Sequence, residues 1–148
     1  MAIKIVPLRS ADIFELKDKG VLGFYGNYVN DSGLLALEDN PYSMTIITAD
    51  TEEVIACGGC VEVWENRGHL WFVVDQELAT KNSIAIHNAV LRYISVLPFN
   101  RVEAVVEAKF KKANRWMELL KFKREGLLEA YDISGADMIM YAKIKGAK

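Results

Sequence analysis

The sequence predicts an α+β domain: a mixed sheet of about seven strands with about four helices on its faces. Three observations predict it. Several short segments either alternate apolar and polar residues or run almost wholly apolar, the patterns of half-buried and fully buried strands. Others space their apolar residues three and four apart, as an amphipathic helix does. Gly, Pro, Asn and Asp punctuate the boundaries and give the order β-α-α-β-β-β-α-β-α-β-β. No linker, repeat or low-complexity segment interrupts the 148 residues, so a single domain over 1–148 is expected.

The elements follow in chain order. Ile3 to Leu8 alternates and meets Ser10, an expected N-cap, and Asp12 in the first turn of a helix carrying Ile13, Phe14 and Leu16. Gly20, Gly23 and Gly26 mark a loop holding Phe24, Tyr25 and Tyr28. Asp31-Ser32 caps a second helix through Leu34, Leu35 and Leu37, which Asn40-Pro41 ends. Met44 to Thr48 is a strand, and Val54 to Trp64 is a long one interrupted at Gly58-Gly59. Glu65 to Gly68 is a hairpin turn into the apolar strand His69 to Val74, expected to be covered on both faces. A polar segment, Asp75 to Ser83, leads into a helix bearing Ile86, Val90, Ile94 and Leu97, closed by Pro98. Arg101 to Ala108 is the next buried strand. The helix after it sets Ala113, Trp116, Met117 and Leu120 on one face. Leu127 to Ile133 and Asp137 to Ile144 form a last hairpin around Ser134-Gly135.

Composition narrows the function. The chain is 51% hydrophobic and 26% charged with a net charge of −2, an ordinary globular mixture without the basic footprint of a nucleic-acid binder. The cations are scattered until Lys109, Lys111, Lys112, Arg115, Lys121, Lys123 and Arg124, a cluster that suits an anionic small ligand or a solvated helix face. Met1 leads straight into Ile3-Lys4-Ile5-Val6 without a signal peptide, and no apolar run is long enough to span a bilayer. No membrane partner and a cytoplasmic location are expected. Cys57-Gly58-Gly59-Cys60 lies inside a strand-like run rather than at a helix start, so it reads as two strand thiols beside a bulge or a close backbone approach. His69 and His87 show no ligand spacing, and no metal site is expected.

With this order in hand, the chain resembles the GNAT superfamily of N-acetyltransferases over nearly its whole length. Ile5 to Asp12 is similar to the family's first strand and helix start. Ile55-Ala56-Cys57-Gly58-Gly59 is similar to its third strand, and Leu70 to Val74 to its fourth. Arg115 to Gly126 resembles the family's helix with its tyrosine, leucine-glycine-phenylalanine turn and acidic-glycine exit. Asp132 to Tyr141 resembles its closing hairpin. The resemblance implies a GNAT-like sheet, acetyl-CoA or another acyl-CoA as cofactor and an amine as acceptor. It assigns pantetheine to the backbone of Phe72, Val73 and Val74, and the pyrophosphate to a helix start at Lys81, Asn82, Ser83 and Ile84. The family often dimerises, which leaves a homodimer open.

Two departures accompany it. Thr80 and Asn82 fall near the glycines of the family's pyrophosphate loop, and Ala79 near its arginine. Aligned on Phe122, the family's tyrosine falls at Met117, whose thioether has no proton to give. Its asparagine falls at Phe110, and the turn glycine at Lys121. Substitute acids and bases are His69, Glu107 and Tyr131, with Glu62 beside them. Two functions follow: an acyl-CoA-dependent N-acyltransferase with a degenerate cofactor loop, or a GNAT-shaped structural or interaction module without transfer chemistry. Short phage-encoded GNAT-like proteins have similarly eroded loops, which would place the second in a host cytoplasm or a virion.

Overall fold

The computed structural model describes residues 2–18 and 37–146. The elements are β1 Ile3–Pro7, α1 Ser10–Asp18, β2 Met44–Thr48, β3 Val54–Trp64, β4 Arg67–Val74, α2 Gln76–Lys81, α3 Ser83–Val96, β5 Arg101–Glu107, α4 Lys111–Leu119, β6 Lys123–Leu128 and β7 Met138–Ile144. The strands form one seven-stranded sheet in the order β1-β2-β3-β4-β5-β7-β6. It is mixed: β4 and β5 run parallel, while β1 with β2, β2 with β3, and β7 with both β5 and β6 run antiparallel. Two compact units divide the chain, one of Met1–Val61 with Trp71–Tyr93 and the other of Glu62–Leu70 with Ile94–Lys148. The loop of Gly20, Gly23, Gly26, Phe24, Tyr25 and Tyr28 lies outside the described residues, as does most of the helix expected from Asp31. Residues 37–39 are helical and end at Asn40-Pro41 as expected.

In the first unit, α1 starts differently from the expected Ser10 cap. Ser10 is already helical, and Asp12 reaches back, its Oδ2 accepting the Arg9 amide at 3.0 Å. That is the acidic half of a capping box, and it satisfies an orphan donor of the first turn. Asp12 is buried because it has further partners: Thr45 Oγ1 donates to it at 2.8 Å, and Arg9 Nη2 pairs with it at 2.9 Å. The helix is thereby pinned on β2. Below it Leu8, Ile13, Leu16, Ile47, Val54 and Cys57 form a core, flanked by Val6, Trp71 and Val73.

The interruption expected at Gly58-Gly59 is not there. β3 is continuous, and the register slips instead between Ile46–Ala56 and Ile47–Val54. The amide of Val54 is taken by Glu15 Oε2 of α1 at 2.9 Å. The glycines serve close approach. A Cβ on Gly58 would lie 2.6 Å from Phe72 Cδ1, and one on Gly59 would lie 2.9 Å from Trp71 Nε1 and 3.0 Å from Ser43 Cα. The turn into β4 is shorter than Glu65 to Gly68, because Arg67 already begins the strand and Asn66 takes the positive φ.

In the second unit, β5 pairs with β7 along its whole length, from Arg101–Ile144 to Glu107–Met138. Met117 and Leu120 are buried beneath α4, and Ala113 and Trp116 are half-buried. The helix ends in a Schellman motif: Phe122 N donates to Met117 O at 3.0 Å and Lys121 N to Glu118 O at 2.9 Å. Lys121 stands where the family has glycine, and it takes the conformation that glycine would favour, φ 69°. The motif delivers Phe122 into the core and starts β6 at Lys123, four residues before the expected Leu127. Residues 129–137 are not strand, contrary to expectation, because side chains take their amides. Asp132 Oδ1 accepts from Ser134 N at 2.9 Å and Ala136 N at 2.8 Å, and Asp137 Oδ1 accepts from Ala130 N at 2.8 Å.

The exposed Lys121 makes a direct test of the left-handed turn. Lys121→Gly relieves the αL penalty, which outweighs the greater entropy glycine gives the unfolded chain, and is expected to stabilise by about 0.5–1 kcal/mol in urea denaturation.

Candidate functional site

The cofactor candidates all fall in the first unit. Phe72, Val73 and Val74 are half-buried rather than covered on both faces as an apolar central strand would be. The polar segment expected from Asp75 to Ser83 is mostly helix. Asp75 caps α2, its carboxylate accepting the amides of Glu77 and Leu78 at 3.1 and 3.2 Å. Thr80 Oγ1 donates to Gln76 O at 2.8 Å, so Thr80 sits comfortably in a helical turn where a glycine loop was the comparison. Asn82 is the joint between α2 and α3. Its backbone N–H donates to Ala79 O at 3.1 Å and its Nδ2 to Leu78 O at 2.9 Å. The amide that was to serve an anion is therefore engaged, and the side chain is turned inward at 4% exposure. Ser83 and Ile84 begin α3, where first-turn amides lack a carbonyl four residues earlier within the helix. Ile84 is 78% exposed, and Lys81 keeps its ammonium in solvent, 3.7 Å from Glu77.

Three buried side-chain atoms of this unit have no hydrogen-bond partner: Ser43 Oγ, Trp71 Nε1 and Asn82 Oδ1. The first two converge on the bare face of Gly59, each within 3.1 Å of where a Cβ would stand. Cys57 and Cys60 are buried and not joined in a disulfide, and burial pushes the Cys57 thiol up to about 12, which removes thiolate chemistry there. Among the described residues no group of three or more His, Cys, Asp and Glu is placed to hold a metal ion.

The acid and base candidates all fall in the second unit. Parallel pairing of β4 with β5 sets Arg67 beside Arg101, Gly68 beside Val102 and His69 beside Glu103. Glu103 is 1% exposed and fully engaged. Its Oε1 accepts Arg67 Nε at 2.7 Å and Arg101 Nε at 2.8 Å; its Oε2 accepts Arg67 Nη2 at 2.9 Å and lies 3.0 Å from His69 Nδ1. The Arg67 bonds above all, then those from Arg101 and His69, hold Glu103 down to about 2 against the opposing effect of burial. An ionised Glu103 requires that His69 Nδ1 carry the proton and donate, which leaves Nε2 as the basic nitrogen. Arg101 continues the chain of charges to Glu125, at 2.6 and 3.0 Å, and Arg67 stacks on Trp64 with 4.6 Å to the ring centroid. Trp64, at the end of β3, is 62% exposed.

The other candidates stand apart from this cluster. Glu107 is exposed at the end of β5; its backbone carbonyl accepts Asn114 Nδ2 at 3.0 Å. Tyr131 is 54% exposed and belongs to the loop after β6 rather than to the strand itself. Phe110, at the family's asparagine position, is the N-cap of α4 without a side-chain bond. The asparagine one turn later is no substitute cap, since its Nδ2 donates to carbonyls instead of accepting first-turn amides. Asn114 Nδ2 also binds Phe110 O at 2.8 Å, while its Oδ1 accepts from the buried Tyr141 hydroxyl at 2.7 Å. Arg67, Glu103, Asn114 and Tyr141 were not singled out by sequence. The available signal was a charged residue at alternate positions of two otherwise apolar strands.

The comparisons enter on this geometry. No family model matches the chain, and no curated protein matches it in sequence. Solved structures do match. A GNAT-family acetyltransferase from Bacillus anthracis superposes with TM-score 0.71 at 12% identity, covering 99% of this chain and 97% of that one. Ard1 from Thermoplasma volcanium gives 0.75 at 16% identity, covering 97% and 98%. The fold is the GNAT fold. A third neighbour, the ribosomal L7/L12 alpha-N-protein acetyltransferase RimL in complex with coenzyme A, gives 0.74 at 14% identity over 100% of this chain and 97% of that chain. Met117 is buried at 6% where the resemblance placed a tyrosine.

The charge cluster makes a pH prediction. A carboxylate depressed to about 2 stabilises the fold above its unfolded value near 4.5, and that stabilisation is lost as pH falls through about 2. Glu103→Gln is therefore expected to cost about 2–3 kcal/mol at pH 7. Urea titrations should show the gap from the parent narrowing between these two values.

Proposed function

We propose that the chain is an acyl-CoA-dependent N-acyltransferase acting on an amine, with a reshaped cofactor loop. The observation that carries this reading is the likeness of the whole chain to acetyltransferases of the GNAT fold, one of them holding coenzyme A. An acyl-CoA would supply the activated acyl group. In the first unit, the backbone of Phe72-Val73-Val74 would hold pantetheine. The amides of Ser83 and Ile84, at the positive end of α3 and near the exposed ammonium of Lys81, fit a pyrophosphate. Asn82 does not share that role: its amide is engaged, and its one unpaired atom is an acceptor, which a phosphate oxygen cannot satisfy.

In the second unit, His69 is the best-prepared base. Glu103 fixes its proton on Nδ1, so Nε2 can take the proton that an ammonium loses to become the attacking amine. Glu107 is the second candidate base. Tyr131 carries the exposed phenol that could protonate a departing thiolate in place of the missing tyrosine. A second reading, a GNAT-fold module without transfer chemistry, is favoured by the buried Met117 and by the helix α2 where a glycine loop would run.

Coenzyme A distinguishes the two. Saturation at about 100 times the dissociation constant should add about 2.7 kcal/mol, read as a rise in Tm. Lys81→Ala should weaken that binding several-fold without lowering the Tm of the free protein. No shift at millimolar coenzyme A rejects the acyltransferase and leaves the module. If transfer is found, His69→Gln is expected to lower kcat/KM about 100-fold and erase the acid limb of the pH profile.

A further inference from the structure

The cations of the second unit are distributed in a way neither reading of the fold uses. Seven of the chain's 18 Lys and Arg residues, and one of its 20 acids, fall between Lys109 and Arg124, so this segment carries +6 in a chain of net charge −2. All seven are exposed, and none forms an ion pair with a carboxylate of the described residues. They occupy the turn before α4, the helix itself, its C-terminal turn and the edge strand β6, so the fold gathers them from consecutive elements.

Their placement also works against the helix, which carries three of them. Lys111 and Lys112 occupy the first turn of α4, where the backbone dipole is positive, with no acid in that turn and no side-chain cap at Phe110. Cations there are unfavourable, and an anion is what the position lacks. Lys123 and Arg124 suit an exposed edge, which charge protects from pairing. That accounts for β6 and leaves the load on α4 unexplained by folding.

We propose that this face of α4 and β6 docks a short acidic protein segment. Length decides against a long polyanion. α4 is about 14 Å long, so four to six extended residues cover it. A nucleic-acid strand or a lipid surface would extend beyond the cations to the acid-rich remainder of the chain, which screening over about 8 Å does not hide at contact distance. Two apolar side chains belong to the same segment, Phe110 at 40% and Leu119 at 49% exposure, and they give an acidic segment with interspersed leucines something to bury.

Fluorescence anisotropy of a labelled dodecapeptide, Glu-Asp-Leu repeated four times, tests the proposal on the full-length protein. Saturable binding is expected, weakening several-fold when salt is raised from low to physiological strength. Lys111→Glu with Lys112→Glu should weaken it at least tenfold. Because both residues are exposed, and acids suit a first turn, the variant should melt no lower than the parent. Equal peptide binding by parent and variant overturns the proposal, and so does tighter binding to a dodecathymidylate or to phosphatidylserine-rich vesicles. Lys4→Glu, on β1, is the charge control and should leave binding within about twofold.

Discussion

One carboxylate organises the second unit. Glu103 is almost wholly removed from water, yet it stays ionised because two guanidinium groups and an imidazole surround it. Desolvating such a group alone would cost several kcal/mol, and breaking the cluster strands its partners' charges as well. β4, β5 and, through Arg101 and Glu125, β6 are held in one lateral order by this set of bonds. The parallel ladder of β4 and β5 coincides with it, since Arg67, His69, Arg101 and Glu103 are themselves the paired residues. The same bond that settles the fold settles the tautomer of His69, so structure and candidate chemistry rest on one proton.

Elsewhere the chain meets backbone demands with unusual residues. Lys121 holds a left-handed position that glycine would hold more cheaply, and the Schellman bonds around it are formed nonetheless. Gly58 and Gly59 are needed for the opposite reason: not for conformation, but because Phe72, Trp71 and Ser43 occupy the space of a Cβ. Asn114, one turn inside the helix, ties the strand end to the helix start, donating to the carbonyls of Glu107 and Phe110 and accepting from Tyr141. These exchanges keep the GNAT fold while changing the residues with which such a fold is expected to work.

The candidate site shows the same division. Phe72 to Val74, which the resemblance assigns to a cofactor, end β4, and Ser83-Ile84 start α3. The site's side chains differ: Asn82 is committed to α2, and Met117 is core. His69, which alternation alone could only place on a strand face, becomes an oriented base once Glu103 is beside it.

The seven strands and the helices α1, α3 and α4, in their order, were determined by the sequence alone, because apolar periodicity and the residues at element ends are local properties. So were the buried face of α4 and the exposed run of cations. The helix α2, which buries no residue, was not. The tertiary structure decided what depends on residues distant in the chain. The glycines of β3 became a close approach rather than a bulge only because Trp71 and Phe72 lie over them. The last hairpin began at Lys123 because the turn at Lys121 closes there, and the following loop stayed irregular because Asp132 and Asp137 took its amides. Glu103 became a hub because strand register, which no local pattern contains, set Arg67 and His69 beside Arg101 and Glu103.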